Sequence, residues 1–298
     1  MHHVPVLLKE TIDGLQLEAG ATVVDATLGA GGHSSEIVRR FGKTVRVVGF
    51  DLDSGALTIA SAALKELGAD FVPVHANFRT MLASCEAQGI TEVDAVLFDL
   101  GISSMEIGES GRGFSFKYDE PLLMTLTNPI TEDTLTAREV VNSMSEKELA
   151  DIIYQYGEER YSRQIAKVIS VVRRREKITS SLQLAEIIAD SVPASYRNGR
   201  INPATKTFQA LRMYVNDELG AAEEGIRAAW QMLKPGGRLA VITFHSLEDR
   251  LVKNLFKEIT KEQGTIITKK PIPPTRTEII ANPRSRSAKL RIIQKNEK

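Results

Sequence analysis

The first hundred residues alternate between short β-rich runs and stretches of helical periodicity. The runs occupy residues 22–25, 45–51, 71–75 and 94–99. They are too apolar to leave one face wet, so they belong to a parallel sheet with helices on both sides. Helical stretches fill residues 34–40, 54–67 and 77–88 between them, the second with Ser54 as its cap. Pro73 suits a strand end or an edge. Open sheets of this kind hold ligands at the carboxyl ends of their strands, where the strand order reverses.

The rhythm breaks after Gly101. Residues 101–128 are rich in Gly, Ser and aromatics and read as an ordered loop. Helical patterns then cover 136–144, 146–156, 160–174 and 181–192, followed by a break at 193–203 and a long helical region at 206–233. Lys234-Pro-Gly-Gly237 is a turn and residues 238–244 are a fifth strand; residues 248–259 are helical. Residues 264–268 and 289–293 form a last pair of strands joined by a long Pro-rich connection. The expectation is a sheet domain of residues 1–104 and 206–298, interrupted by a mostly helical insertion, 105–205, that recognises substrate.

Charge narrows the class of partner. The chain of 298 residues is formally neutral, yet residues 265–298 hold nine Lys and Arg against two acids. A basic tail on an acidic body meets a polyanion, or is simply a solvated end. One cysteine, Cys85, excludes a disulfide framework and a Cys-rich zinc site. The five histidines are not at ligand spacing on one helix, so no metal is expected. Lys9, Glu10 and Asp13 interrupt the start, and no run of about eighteen apolar residues occurs, so the expectation is cytoplasmic, with no membrane contact.

The first strand leads into Gly29-Ala-Gly31-Gly32, where bare backbone N–H groups and a helix start can approach a ligand. No Gly-Lys-Ser/Thr follows, which excludes a P-loop. Asp51 ends the second strand, placed to accept from ribose hydroxyls. These features fit both NAD and S-adenosylmethionine. Three more favour S-adenosylmethionine. Asp25 heads a loop without a regular G-x-G-x-x-G, Asp99 ends the fourth strand, and Leu233-Lys-Pro-Gly-Gly237 precedes the fifth.

The chain resembles the bacterial 16S rRNA (cytosine-N4)-methyltransferases, the RsmH or MraW family. The resemblance rests on His3-Val-Pro-Val-Leu-Leu8, Gly29-Ala-Gly-Gly-His33-Ser34, Asp99-Leu-Gly-Ile-Ser-Ser104, Arg112-Gly-Phe-Ser-Phe116 and Tyr156-Gly-Glu-Glu-Arg160. Further on it rests on Pro203-Ala-Thr-Lys-Thr-Phe-Gln-Ala-Leu-Arg212, Phe244-His-Ser-Leu-Glu-Asp-Arg250 and Asn282-Pro-Arg-Ser-Arg-Ser-Ala-Lys-Leu-Arg291. It implies an α/β chain of the class I S-adenosylmethionine-dependent methyltransferase fold, Rossmann-like with a mostly parallel sheet, carrying an inserted helical domain. It implies methylation of N4 of a decoding-region cytosine in 16S rRNA, within the small ribosomal subunit. Carried over, the cofactor residues are Gly31, Gly32, His33, Asp51, Phe78 and Asp99. The family's Gln in Ser-Ser-Pro-Gln is replaced, since this chain reads Ser103-Ser-Met-Glu106; Glu106 accepts hydrogen bonds but cannot donate while ionised. Leu122-Leu-Met-Thr-Leu-Thr127 likewise lacks the charges usual there.

The residues leave several roles open. Asp99, or a backbone carbonyl beside it, is the candidate acceptor for the cytosine amine; the other reading is that Asp99 holds the cofactor amino group. His245 is the second titratable group on that rim, and Ser246-Leu-Glu248 reads equally well as a helix cap. A stacked cytosine cannot reach the methyl, so the base must be flipped or lie in a loop. Arg112, Phe114 and Lys117 interleave cations and rings and are candidate RNA contacts, or else a loop tucked into the insertion. Arg284 and Arg286, with Lys289 and Arg291, are candidate phosphate contacts, as are Arg173–Arg175. Trp230 is expected in the core. A methyltransferase acting on a protein or small molecule, and a non-catalytic ribosome assembly factor, are the alternatives.

Overall fold

The apolar runs become strands whose alternate residues face two different cores. Val23, Val47, Ala95 and Leu97 pack on one side of the sheet, and Val24, Val48, Val96 and Phe98 on the other. Both faces are therefore buried, which is why these strands read as continuous apolar runs. The computed structural model describes residues 5–101 and 110–297, apart from the side chain of Glu262.

The chain opens with α1 (Leu8–Leu15), β1 (Thr22–Asp25), α2 (Gly32–Phe41), β2 (Arg46–Asp51), α3 (Ser54–Glu66) and β3 (Asp70–His75). A 3₁₀ turn, Phe78–Thr80, leads into α4 (Met81–Glu86) and β4 (Val93–Asp99). A second unit follows, with α5 (Ala137–Ser143), α6 (Glu146–Gly157), α7 (Ser162–Val172), α8 (Ser181–Ser191), α9 (Ala194–Arg197) and α10 (Ala204–Val215). The chain returns through α11 (Glu218–Met232), β5 (Leu233–Thr243), α12 (Ser246–Gln263), β6 (Gly264–Ile266), α13 (Arg276–Ala281), a 3₁₀ turn Pro283–Ser287 and β7 (Lys289–Lys295).

The sheet runs β3-β2-β1-β4-β5-β7-β6. The first five strands are parallel, and β7 is antiparallel to both β5 and β6. This is the class I methyltransferase fold expected from the sequence. The Lys234–Gly237 turn lies inside β5 as a bulge, since Val93 pairs with Leu233 but Ala95 with Arg238. Gly236 supplies the left-handed residue at φ +81°. Trp230 is only half-buried, packed against the core rather than within it, with the Lys295 ammonium 5.9 Å from its ring. No helix among the described residues is long and apolar enough to cross a membrane.

The chain separates into two compact units. One runs to Gly101 and resumes at Leu219; the other lies between. The expected insertion ended at 205, whereas the structure adds α10 to it. The reason is packing: Phe208 and Leu211 of α10 are buried with Leu149, Ile153, Ile165 and Ile169 of α6 and α7. A Cβ on Gly157 would lie 2.5 Å from the Lys206 carbonyl, so α6 and α10 touch backbone to side. The long helical region read at 206–233 is broken at Asp217, φ +46°, a conformation Asp tolerates better than most residues. The Asn216 amide braces the break, accepting from Leu126 N and donating to the Met124 carbonyl.

Candidate active site

Three aspartates close neighbouring strands: Asp25 ends β1, Asp51 ends β2 and Asp99 ends β4. Between β1 and β4 the strand order reverses, the position where an open sheet leaves a crevice.

The loop after β1 wraps Asp51. Gly29 N donates to its Oδ2 at 2.8 Å and Asp53 N to its Oδ1 at 2.8 Å. Burial pushes the Asp51 carboxyl upward and these N–H groups pull against it. Each oxygen keeps a lone pair for a further donor. Gly29 and Gly31 are left-handed, φ +53° and +75°. A Cβ at Gly29 would meet nothing within 4 Å, so the loop presents bare backbone there.

The N-terminal segment lies over the same loop. A Cβ on Gly32 would fall 2.4 Å from Pro5 Cγ, so any larger residue must displace Pro5. His33 is buried, with Nε2 3.2 Å from the Val6 carbonyl and Nδ1 4.0 Å from Asp99 Oδ2.

The Asp99 N–H donates to Thr27 Oγ1 at 2.6 Å. Asp99 Oδ1 is buried with no hydrogen-bond partner among the described residues. Burial raises the carboxyl to about 7, with Asp25 and Glu248 adding to the rise and the Gly101 N–H opposing it. Asp25 is 1% exposed and accepts from Ser34 Oγ at 2.7 Å; burial pushes it to about 6. Clustered carboxyls with one oxygen unsatisfied form a site short of positive charge. S-adenosylmethionine carries an ammonium and a sulfonium, so the residues present fit it. Asp25 is absent from the site residues read in the sequence. Its position at a strand end, matching that of Asp51 and Asp99, was the available signal.

Phe78 sits in the 3₁₀ turn after β3, half-buried and edge-on to Phe98 with ring centres 5.3 Å apart. Glu106 lies outside the described residues. His245 is placed as a cap: its Nδ1 accepts from Glu248 N, and Glu248 Oε2 accepts from Phe244 N at 2.7 Å and from His245 N at 3.3 Å. This is a capping box that holds the start of α12. His245 Nε2 lies 2.9 Å from Glu248 Oε1 and is buried without a hydrogen bond among the described residues.

The expected RNA contacts divide. Phe114 is 9% exposed, in the core of the inserted unit. Arg112 lies over the Phe114 ring at 5.4 Å and donates to the carbonyls of Thr125 and Leu126, so both residues hold the loop together. Glu120, buried, accepts from Gly111 N and Gly113 N and completes that loop. Lys117 is exposed. Arg173 donates to the carbonyls of Val141 and Met144 at the end of α5. In the tail, Lys289 and Arg291 both bond Asp249, at 2.9 and 2.7 Å, and Arg291 is 8% exposed. Both therefore pair within the chain, and Lys289, like Arg284 and Arg286, keeps its side chain partly or wholly exposed.

A model of the MraW methylase family matches residues 1–296. The chain belongs to that family. A curated relative, ribosomal RNA small subunit methyltransferase H of Carboxydothermus hydrogenoformans, is 49% identical over 311 aligned positions, covering 98% of this chain and 97% of the relative. Among solved structures, an rRNA methylase from Streptococcus thermophilus shares 13% identity at a TM-score of 0.47, covering 99% of this chain and 100% of that one. TrmN from Thermus thermophilus shares 13% at 0.46, covering 97% of this chain and 48% of that one. Likeness at these scores carries no weight for function. Membership of the MraW methylase family rests on the sequence match.

Proposed function

We infer that this chain transfers the methyl group of S-adenosylmethionine to N4 of a decoding-region cytosine in 16S rRNA. The observation that carries this is the family match along the whole chain, joined to an acid-lined crevice at the switch point of the sheet. We place the reaction in the cytoplasm, on rRNA within the small subunit.

The cofactor supplies a methyl group on sulfur that is already activated for attack. The N4 lone pair of cytosine is delocalised into its ring, so the protein's task is placement. Correct orientation contributes on the order of 7–11 kcal/mol in favourable cases. Gly29 and Gly31 let backbone come close to the ligand, Asp51 accepts from the ribose, and Phe78 lines the crevice. The buried Oδ1 of Asp99 takes the ammonium of the cofactor, and the ionised carboxylate then anchors it. Arg284 and Arg286 hold phosphates of the RNA, and Lys117 is an exposed cation of the inserted unit.

The test is transfer of labelled methyl into small-subunit particles or 16S rRNA, with nucleoside mass spectrometry to place it on N4 of cytosine. No incorporation by protein that binds S-adenosylmethionine would refute the reading. The role given to Asp99 has its own measurement. Pairing with an ammonium favours the ionised form of a carboxyl that burial holds well above its ordinary range, so binding near neutral pH releases protons. Calorimetry in buffers of different ionisation heat reads that release, and Asp99→Asn reduces it.

A further inference from the structure

The tail of the chain reaches back to the glycine loop through one side chain. Glu278, in α13, accepts from Leu7 N at 2.7 Å. Leu7 is fully buried, at φ +51° ahead of α1, with no side chain capping that helix. The residues just before it are the ones lying on the loop: Val6 through its carbonyl to His33, and Pro5 through its ring against Gly32. A buried backbone N–H left unpaired is costly, so the Leu7 amide fixes where this strap lies. Glu278 is itself placed by Thr275, whose Oγ1 accepts from Glu278 N at 3.2 Å. The tail around it is fixed to the sheet by reciprocal backbone bonds of 2.9 Å between Ile272 and Leu290.

We propose that Glu278 is a positioning residue for the cofactor loop, acting through Leu7, Val6 and His33. This deepens the reading above and rests on the loop being the S-adenosylmethionine site. Glu278 need not touch the cofactor. It holds the strap that orients the buried His33 ring and confines Gly32, and His33 stands 4.0 Å from Asp99. The same segment carries Arg284 and Arg286, so the part of the chain that meets RNA also sets the geometry of the methyl donor site.

The experiment is calorimetric titration of S-adenosylmethionine into the full-length chain, with hydrogen exchange of the Leu7 amide in ligand-free protein. Glu278→Ala raises Kd roughly tenfold and speeds exchange at Leu7, as loss of one acceptor to a buried N–H would do. Glu278→Gln keeps an acceptor of the same reach and stays within about threefold of wild type. Should Glu278→Ala fail to fold, Gln against Asp decides, because the shorter Asp does not reach Leu7. Unchanged Kd in a folded Glu278→Ala, or a Gln variant as weak as Ala or Asp, overturns the assignment. Wild-type protein that takes up no S-adenosylmethionine overturns the cofactor reading and the assignment together.

Discussion

Replacing Asp99 by asparagine should stabilise the ligand-free protein at pH 8.5 relative to wild type far more than at pH 4. The carboxyl titrates at about 7 in the folded chain, because burial penalises its charge, against an ordinary 3.8. The folded state therefore binds a proton the unfolded state has already lost. Stability from this group is complete below about pH 4 and declines as the pH rises through about 7. Once both states are ionised the folded state has lost on the order of 4 kcal/mol. Asparagine keeps the shape and carries no charge at any pH, and the backbone bond to Thr27 is untouched. The gap between variant and wild type should widen by roughly 4 kcal/mol between pH 4 and pH 8.5. Urea unfolding read by Trp230, the single tryptophan and a part of the sheet unit, measures it. Asp25, pushed to about 6, gives both proteins a slope of the same sign. A gap that is constant with pH, or that narrows toward alkaline pH, would refute the reasoning.

Asp249→Asn strips Arg291 of its carboxylate at a site 8% exposed, and should cost about 3–5 kcal/mol in urea unfolding at neutral pH. Burial raises the Asp249 carboxyl, but hydrogen bonds from Arg291 and Lys289 outweigh it and hold the group below its usual range; variant and wild type should converge as acid passes that lowered value. Neutralising Arg284 and Arg286 together should weaken rRNA binding and reduce its salt slope by up to about two, with S-adenosylmethionine affinity unchanged by calorimetry. Gly32→Ala drives a methyl to 2.4 Å from Pro5 and should weaken S-adenosylmethionine binding about tenfold; an unchanged Kd would mean the strap does not shape the loop.

Much of the sheet was legible because its central strands β1, β2 and β4 are buried on both faces and read as apolar runs. The placement of Asp51 and Asp99 at strand ends was legible because the apolar runs before them were. Other features were hidden by long-range contacts. Nothing local marks α10 as part of the insertion; its partners in α6 lie some fifty positions back, Lys206 bonding Glu158 across 48. The break at Asp217 has neither Gly nor Pro to announce it. Arg112 and Phe114 look like a stacking pair for RNA, and the same chemistry serves a loop folded on itself. Lys289 and Arg291 count as tail charges until Asp249, about forty positions away, is seen to hold both. His245 was ambiguous because a histidine ahead of Ser-Leu-Glu both caps a helix and resembles a catalytic residue.

The split of the sheet sets a timetable for synthesis. Asp94 waits for Lys234, 140 positions later, and Gly14 for Arg238, 224 positions later. At about 5–20 residues per second, β4 spends on the order of ten seconds or more beside an empty place. The helices between can condense on one another meanwhile, since their core is complete by α10. The newborn chain thus holds a half-built sheet with an unpaired border until β5 is made.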